Sequence, residues 1–202
     1  MKLGPKFKLA KRLGAPIFSK TQSVKFQNSL ARPGRVLKNR RGNMSDYKKQ
    51  LLEKQKMRFT YGLSERQFST YVAKSIESGH QPIPALMAML ESRLDSVVYR
   101  LGIAKTRTQA RQLVTHGHIT LNGRKLNIPS AIVKNGDEVA VREGSRSIGL
   151  LAGFAEKHAA QSVPAWLTFD AKKMSGTMKQ TPVVDMKEQL FNPELVLEYY
   201  SR

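Results

Sequence analysis

The sequence predicts an α+β fold: a mainly helical stretch leading into a small module of two short helices on a twisted antiparallel sheet, preceded by an irregular basic arm. Three observations predict it. Apolar residues recur at helical spacing between 64 and 101. Two turn signals, Asn122-Gly123 and Asn135-Gly136-Asp137, punctuate short alternating runs between 118 and 141. Residues 1–44 hold neither period, and Gly4, Pro5, Gly14, Pro16, Pro33, Gly34 and Gly42 are scattered among many cations.

The arm comes first. On its own it buries too little apolar surface to offset its chain entropy, so it is expected to order on a polyanion. A helix is expected from Ser45, with Asp46 well placed in the first turn, to Tyr61, where Gly62 is a natural stop. Lys48, Lys49, Lys54, Lys56 and Arg58 coat much of its surface. In the next helix Ser64 and Gln67 fit a capping box, Leu63 and Phe68 a hydrophobic staple, and Phe68, Tyr71, Val72 and Ile76 one apolar face. Gly79 ends it, and Pro82 and Pro84 mark a linker.

A third helix is expected over 85–101, with Leu86, Leu90, Leu94, Val97 and Leu101 as its stripe. Thr106 then caps a short helix through His116 whose core face is Ala110, Leu113 and Val114, with Gly117 after it. Ile119 and Leu121 alternate with polar neighbours, and Asn122-Gly123 supplies the two positive φ angles of a type I′ turn. Glu138 to Val141 is a further strand. The two helices and the sheet cover about 91–143. Beyond Glu143 the expectations are a helix over 147–160, a strand over Trp166–Phe169 and a loop over 171–182. Asp185 with Glu188 would cap a last helix, which Asn192-Pro193 interrupts or restarts.

Composition bounds the function. The chain has 202 residues, 35 Lys+Arg against 15 Asp+Glu, and a net charge of +20. Residues 1–60 alone hold 17 Lys+Arg against Asp46 and Glu53, a net +15. Such an excess calls for a polyanion, nucleic acid first and an anionic membrane surface second. No run of about 20 apolar residues spans a bilayer, and the basic N-terminus has neither the apolar region nor the cleavage site of a secretory signal. There is no cysteine, which excludes disulfides, thiolate catalysis and cysteine zinc sites.

The stretch Arg93-Leu94-Asp95-Ser96-Val97-Val98-Tyr99-Arg100-Leu101 resembles the first helix of the S4 RNA-binding domain family. Thr106-Arg107, Ala110 to Val114, His116-Gly117-His118-Ile119 and Asn122-Gly123 resemble its signature. Outside that module, Glu53 to Phe59 followed by Tyr61-Gly62, and the segment Glu198-Tyr199-Tyr200-Ser201-Arg202, resemble the bacterial-type small-subunit ribosomal S4 family. The resemblance covers nearly everything from residue 45 on, with the segments in the family's order. Residues 14–44 match loosely, keeping only Pro33-Gly34, and the spacing around Phe191-Asn192-Pro193 is unusual. Some members carry a cysteine zinc knot, which this chain lacks, so no metal and no cofactor are expected.

The resemblance implies an S4 module (91–155) inserted into a helical domain (45–90, completed by about 183–202), behind a basic arm (1–44), with 156–202 as an extension packing back on the helical domain. It implies a non-enzymatic constituent of the small ribosomal subunit that binds the five-way junction in the 5′ domain of its rRNA early in assembly. It further implies contact with ribosomal protein S5 and, with S3, a place at the mRNA entrance that affects decoding accuracy. No membrane or small-molecule partner is implied. The location would be the cytoplasm, or an organelle's stroma or matrix if organelle-encoded.

The candidate RNA-contacting residues are Lys8, Lys11, Arg12, Arg35, Arg40 and Arg41 in the arm, and Lys48, Lys49, Lys54, Lys56, Arg58 and Tyr61 in the first helix. In the module they are Arg93, Arg100, Lys105, Thr106, Arg107, Arg111, Gln112, His116, His118 and Arg124. Cations supply affinity through counterion release. The helix start near Lys105, Thr106 and Arg107 adds N–H groups suited to phosphate, and Arg107 and Arg111 share a face. Blander readings stand beside these. Arg107 and Arg111 are also what a solvated helix face carries, and Asp95 reads as a structural partner for a nearby cation. His116 and His118 lack a third metal ligand, Asn122-Gly123 is a turn device, and Trp166 and the tyrosines near the C-terminus suit packing. Two rivals carry the same module. An RNA-modifying enzyme would need a catalytic constellation that is not in view, and a free-standing RNA chaperone would not need the Glu53–Gly62 motif.

Overall fold

A computed structural model describes residues 4–31, 44–79, 81–146, 163–171, 173–185 and 189–201. The chain forms two compact units, one from 1–83 with 185–202 and one from 84–184. Among the described residues no helix is long and apolar enough to cross a membrane.

The first unit is helical. Residues 1–44 were expected to be irregular throughout, but α1 (Lys6–Leu13), a 3₁₀ turn (Ser19–Thr21) and α2 (Val24–Ala31) form there. Their reason is tertiary. Ala10, Phe18 and Phe26 are buried together, and Phe59 from the next helix packs against them. The partner lies over thirty residues away, so no local period announces it. Thr21 locks the turn, its Oγ1 donating to the Phe18 carbonyl at 2.7 Å and accepting from the Phe18 N–H at 3.1 Å. Deletion of residues 1–44 therefore removes core as well as charge.

α3 (Asp46–Tyr61) ends at Gly62, whose φ of 64° is the left-handed stop expected of it. α4 (Glu65–Glu77) has the expected capping box between Ser64 and Gln67. Phe68 and Val72 face the core as expected, but Ile76 is exposed and Ser75 is buried in its stead. The expected last helix of the chain forms as α8 (Pro193–Tyr200), with Asn192 as its cap and Pro193 at its first position. Asn192-Pro193 starts this helix. α8 lies along α3, where Gln50 Nε2 donates to Glu198 at 2.9 Å and the Asn192 N–H donates to Glu53 at 2.9 Å.

In the second unit the single helix expected over 85–101 is two helices. α5 (Pro82–Glu91) begins at the proline read as linker, and α6 (Leu94–Arg100) follows a break at Ser92-Arg93. The break is held by the 129–133 segment. Leu94 N–H donates to Ala131 O at 2.8 Å, Asp95 N–H to Pro129 O at 3.1 Å, and Val133 N–H to Ser92 O at 2.8 Å. Backbone groups freed by the interruption thus find partners that an unbroken helix would not need. The stripe is still buried as expected.

α7 (Arg107–Thr115) starts on Thr106, whose hydroxyl accepts from Gln109 N–H at 3.1 Å. β1 (Ile119–Leu121) and β2 (Arg124–Lys125) join through Asn122 and Gly123, with φ of 50° and 76°, which is the type I′ geometry expected. β3 (Glu138–Val141) pairs with β1. β4 (Leu167–Asp170) agrees with the strand expected at Trp166–Phe169, but β5 (Ser175–Met178) lies in the stretch read as loop. The sheet order is β2-β1-β3-β5-β4, all antiparallel. β4 and β5 thus extend the module's sheet, where the sequence placed them in an extension on the helical domain. Their signal is weak because β5 reads Ser-Gly-Thr-Met. Gly176 is needed there: a Cβ would run into Leu101 and come within 2.8 Å of the Thr168 carbonyl. Gly176→Ala is expected to cost about 1–3 kcal/mol through overpacking, read as a lower urea midpoint. The helix expected over 147–160 and Glu188 lie outside the described residues.

Candidate nucleic-acid interface

The helix pair α6–α7 carries four arginines on two buried acids. Glu91, at the end of α5, is fully buried. Its Oε2 accepts from Arg100 Nε at 2.8 Å, and its Oε1 from Arg100 Nη2 at 2.9 Å and Arg107 Nη2 at 2.7 Å. Asp95 accepts a two-pronged pair from Arg93, Nε at 3.0 Å and Nη2 at 2.7 Å, and Arg111 Nη1 lies 3.8 Å away. The Arg107 guanidinium also rests on the Tyr99 ring, 4.5 Å from its centroid. Such contacts hold planar guanidinium groups firmly.

Burial divides these arginines. Arg100, Arg107 and Arg111 keep 25%, 16% and 34% of their side chains exposed. Arg93 is fully buried, so its candidacy as an RNA contact is corrected: it neutralises Asp95 inside the fold. Asp95 does act as a structural partner for a cation. Neither Glu91 nor Tyr99 was a candidate residue. The available signal was an acid at the C-terminal end of an apolar helix, where the dipole disfavours it.

Around the start of α7, Lys105 is exposed and its N–H donates to Gln109 Oε1 at 3.0 Å. Thr106 serves as the cap, with its side chain committed to the helix. Gln112 and His116 are exposed, and His118 is half-buried with Nδ1 3.0 Å from Ser145 Oγ. The two imidazoles stack with centroids 6.1 Å apart. No group of three metal-ligating side chains gathers among the described residues. Arg124 is exposed just after the hairpin turn, as is Lys125, which sequence reasoning passed over. Asn122 does more than turn the chain. Its Nδ2 donates to Asp137 at 2.8 Å, and its Oδ1 accepts from the Glu138 N–H at 2.8 Å. The hydrogen bonds from Asn122 and the Lys134 N–H hold the Asp137 carboxyl below its usual range.

In the first unit, Lys8, Lys11 and Arg12 are exposed on α1, and Lys49 is exposed on α3 beside Asp46 at 3.0 Å. Lys48 is half-buried, Lys56 pairs with Glu53 at 2.7 Å, and Arg58 lies 3.3 Å from Glu65 and over the Phe59 ring. Arg35, Arg40 and Arg41 lie outside the described residues. Two candidates are corrected by burial. Tyr61 packs edge-on against Phe191. Lys54 keeps 6% of its side chain exposed, donates to Glu65 at 2.7 Å, and sits over the Tyr199 ring at 4.4 Å.

Tyr200 completes this cluster, its hydroxyl donating to Glu65 at 3.0 Å. The two stretches that carried the family resemblance outside the module, around residues 54 and 199, therefore meet. Burial raises the Glu65 pKa, but hydrogen bonds from Lys54 and Tyr200 and the charges of Lys54 and Arg58 outweigh it and leave it lowered. The Tyr200 hydroxyl is raised by burial and then by Glu65. A carboxyl whose pKa is depressed on folding contributes stability that is present above its unfolded value and lost as pH falls through its folded value. For Glu65 the loss begins below about 4.5, its ordinary value. Glu65→Gln is expected to flatten the acid limb of a melting-temperature profile between pH 5 and 3, relative to the unaltered chain.

Comparison with known proteins fits this geometry. Residues 92–139 match the S4 domain family, and residues 2–91 match the ribosomal protein S4/S9 N-terminal domain family. The small ribosomal subunit protein uS4 of Latilactobacillus sakei subsp. sakei is 41% identical over 201 residues, 98% of each chain. The uS4 proteins of Chromobacterium violaceum and of Acinetobacter baumannii (strain ACICU) are 42% and 41% identical, covering 99% of this chain and 98% of theirs. Such identity along nearly the whole length of both chains shows that this protein belongs to the uS4 family of small ribosomal subunit proteins.

Proposed function

We propose that the chain is a non-catalytic structural constituent of the small ribosomal subunit that binds its rRNA. The observation that carries the reading is the α6–α7 surface, within the S4 domain match, where Arg100, Arg107 and Arg111 are partly exposed around two buried acids. Exposed cations on α1 and α3 add phosphate neutralisation. The target is the five-way junction of the 5′ domain, bound early in assembly and recognised mainly by shape, since A-form grooves hide base edges. Contact with ribosomal proteins S5 and S3 near the mRNA entrance, and an effect on decoding accuracy, complete the proposal. The site of action is the cytoplasm, or the organelle interior in the case of an organelle-encoded chain. The basis for these finer roles is the family resemblance.

Arg107→Ala with Arg111→Ala tests the surface. Glu91 keeps both hydrogen bonds from Arg100, and Asp95 keeps both from Arg93, so the fold is expected to stand. Affinity for a 5′-domain transcript is expected to fall about tenfold or more, and the salt slope by about 1.5. Unchanged affinity at matched salt would refute the assignment. At the level of the particle, the chain is expected to co-sediment with small subunits through a high-salt wash, and release into the free pool would refute residence there.

A further inference from the structure

We infer that Glu91 is a positioning residue for RNA binding: its buried carboxylate holds Arg100 and Arg107 in fixed poses at the surface, so that removing this negative charge weakens RNA binding. The inference rests on the RNA-binding reading above.

A carboxylate at a helix C-terminus is opposed by the helix dipole, and a fully buried one is costly unless it is paired. Glu91 is both, and both of its oxygens are engaged by guanidinium N–H groups. The Tyr99 ring under Arg107 restricts that side chain in a second direction. Arginine side chains otherwise lose much rotamer freedom when a phosphate captures them. Here that freedom is already spent in the folded protein, so the cost falls away from the binding step. The charge balance permits this. Arg100 and Arg107 outnumber Glu91, Arg93 and Arg111 outnumber Asp95, and the surface stays cationic.

The inference opposes simple charge counting. Removing an acid from an RNA-facing surface raises net positive charge and by itself tightens binding. Loss of positioning loosens it. Only the second effect is expected to dominate here, because one carboxylate anchors two of the three partly exposed arginines.

The test uses the full-length protein and an in vitro transcript of the 5′ domain of a bacterial small-subunit rRNA. Fluorescence anisotropy is read at constant salt below the melting temperature of every variant. Glu91→Gln is expected to bind about tenfold more weakly than the unaltered chain. In the protein without RNA, the Arg100 Nε–H resonance is expected to broaden or vanish, a change that a purely structural loss elsewhere would not produce. Tyr99→Leu leaves the charge untouched and removes the shelf under Arg107, so weaker binding is expected there too. If Glu91→Gln does not fold, Glu91→Asp, which keeps the charge but draws the carboxylate back from both guanidinium groups by one methylene, is read in its place: weaker binding is expected, and equal or tighter binding overturns the role. Failure of the unaltered chain to bind overturns the RNA-binding reading itself. Binding by the unaltered chain, with a folded variant that binds equally or more tightly, overturns the positioning role alone.

Discussion

Arg93→Ala is expected to destabilise the second unit by about 3–5 kcal/mol, because it leaves Asp95 buried with its principal partner gone. The Arg93 guanidinium donates twice to Asp95, and the nearest other cation, Arg111, stands 3.8 Å away and is partly in water. Arg111 offsets a fraction of the loss at best. The residue also sits at the break between α5 and α6, with its backbone bridged to Ile132, so relaxation there unsettles the 129–133 segment as well. Urea unfolding of the RNA-free protein measures the effect, with Arg111→Ala as the comparison. A loss below about 1 kcal/mol, the scale of a surface pair, would show that Arg93 reaches solvent after all.

A second large effect is expected at Lys54. Lys54→Ala removes a nearly buried ammonium from Glu65, a cation–π contact with Tyr199, and a buried aliphatic stem. Glu65 keeps 47% exposure together with Arg58 and Tyr200, so the figure for a fully buried pair must be discounted. About 2–3 kcal/mol is expected for the first unit. The distinction from an RNA contact is direct. A structural Lys54 lowers the melting temperature of the free protein and leaves the salt slope of binding unchanged. A phosphate contact does the reverse, lowering the slope by about 0.7–0.9.

These two residues mark where reading the sequence stops. A lysine or arginine is ordinarily exposed, and only a paired acid makes its burial tolerable. For Lys54 that acid is helped by an aromatic pair almost 150 residues away, and for Arg93 it is two residues along but turned inward by a helix break. Local features fared better. The Ser64–Gln67 box, the Gly62 stop and the Asn122-Gly123 turn are dictated by groups within four residues, and each stands where it was expected. The Ser92-Arg93 break, the β4–β5 hairpin and the helices of the arm depend on partners elsewhere in the chain. The shared face of Arg107 and Arg111 was legible from helical spacing, but the carboxylate that holds Arg107 was not.

The meeting of α8 with α3 has a consequence for how the protein is made. A nascent chain emerges in order, so 84–184 is complete while α3 still lacks the strip of surface that residues 193–200 cover. At about 5–20 residues per second, α3 and α4 wait on the order of ten seconds for that cover. The middle of the polypeptide can therefore mature before the first unit is closed, and a prematurely terminated product would display one finished core and one unsealed one.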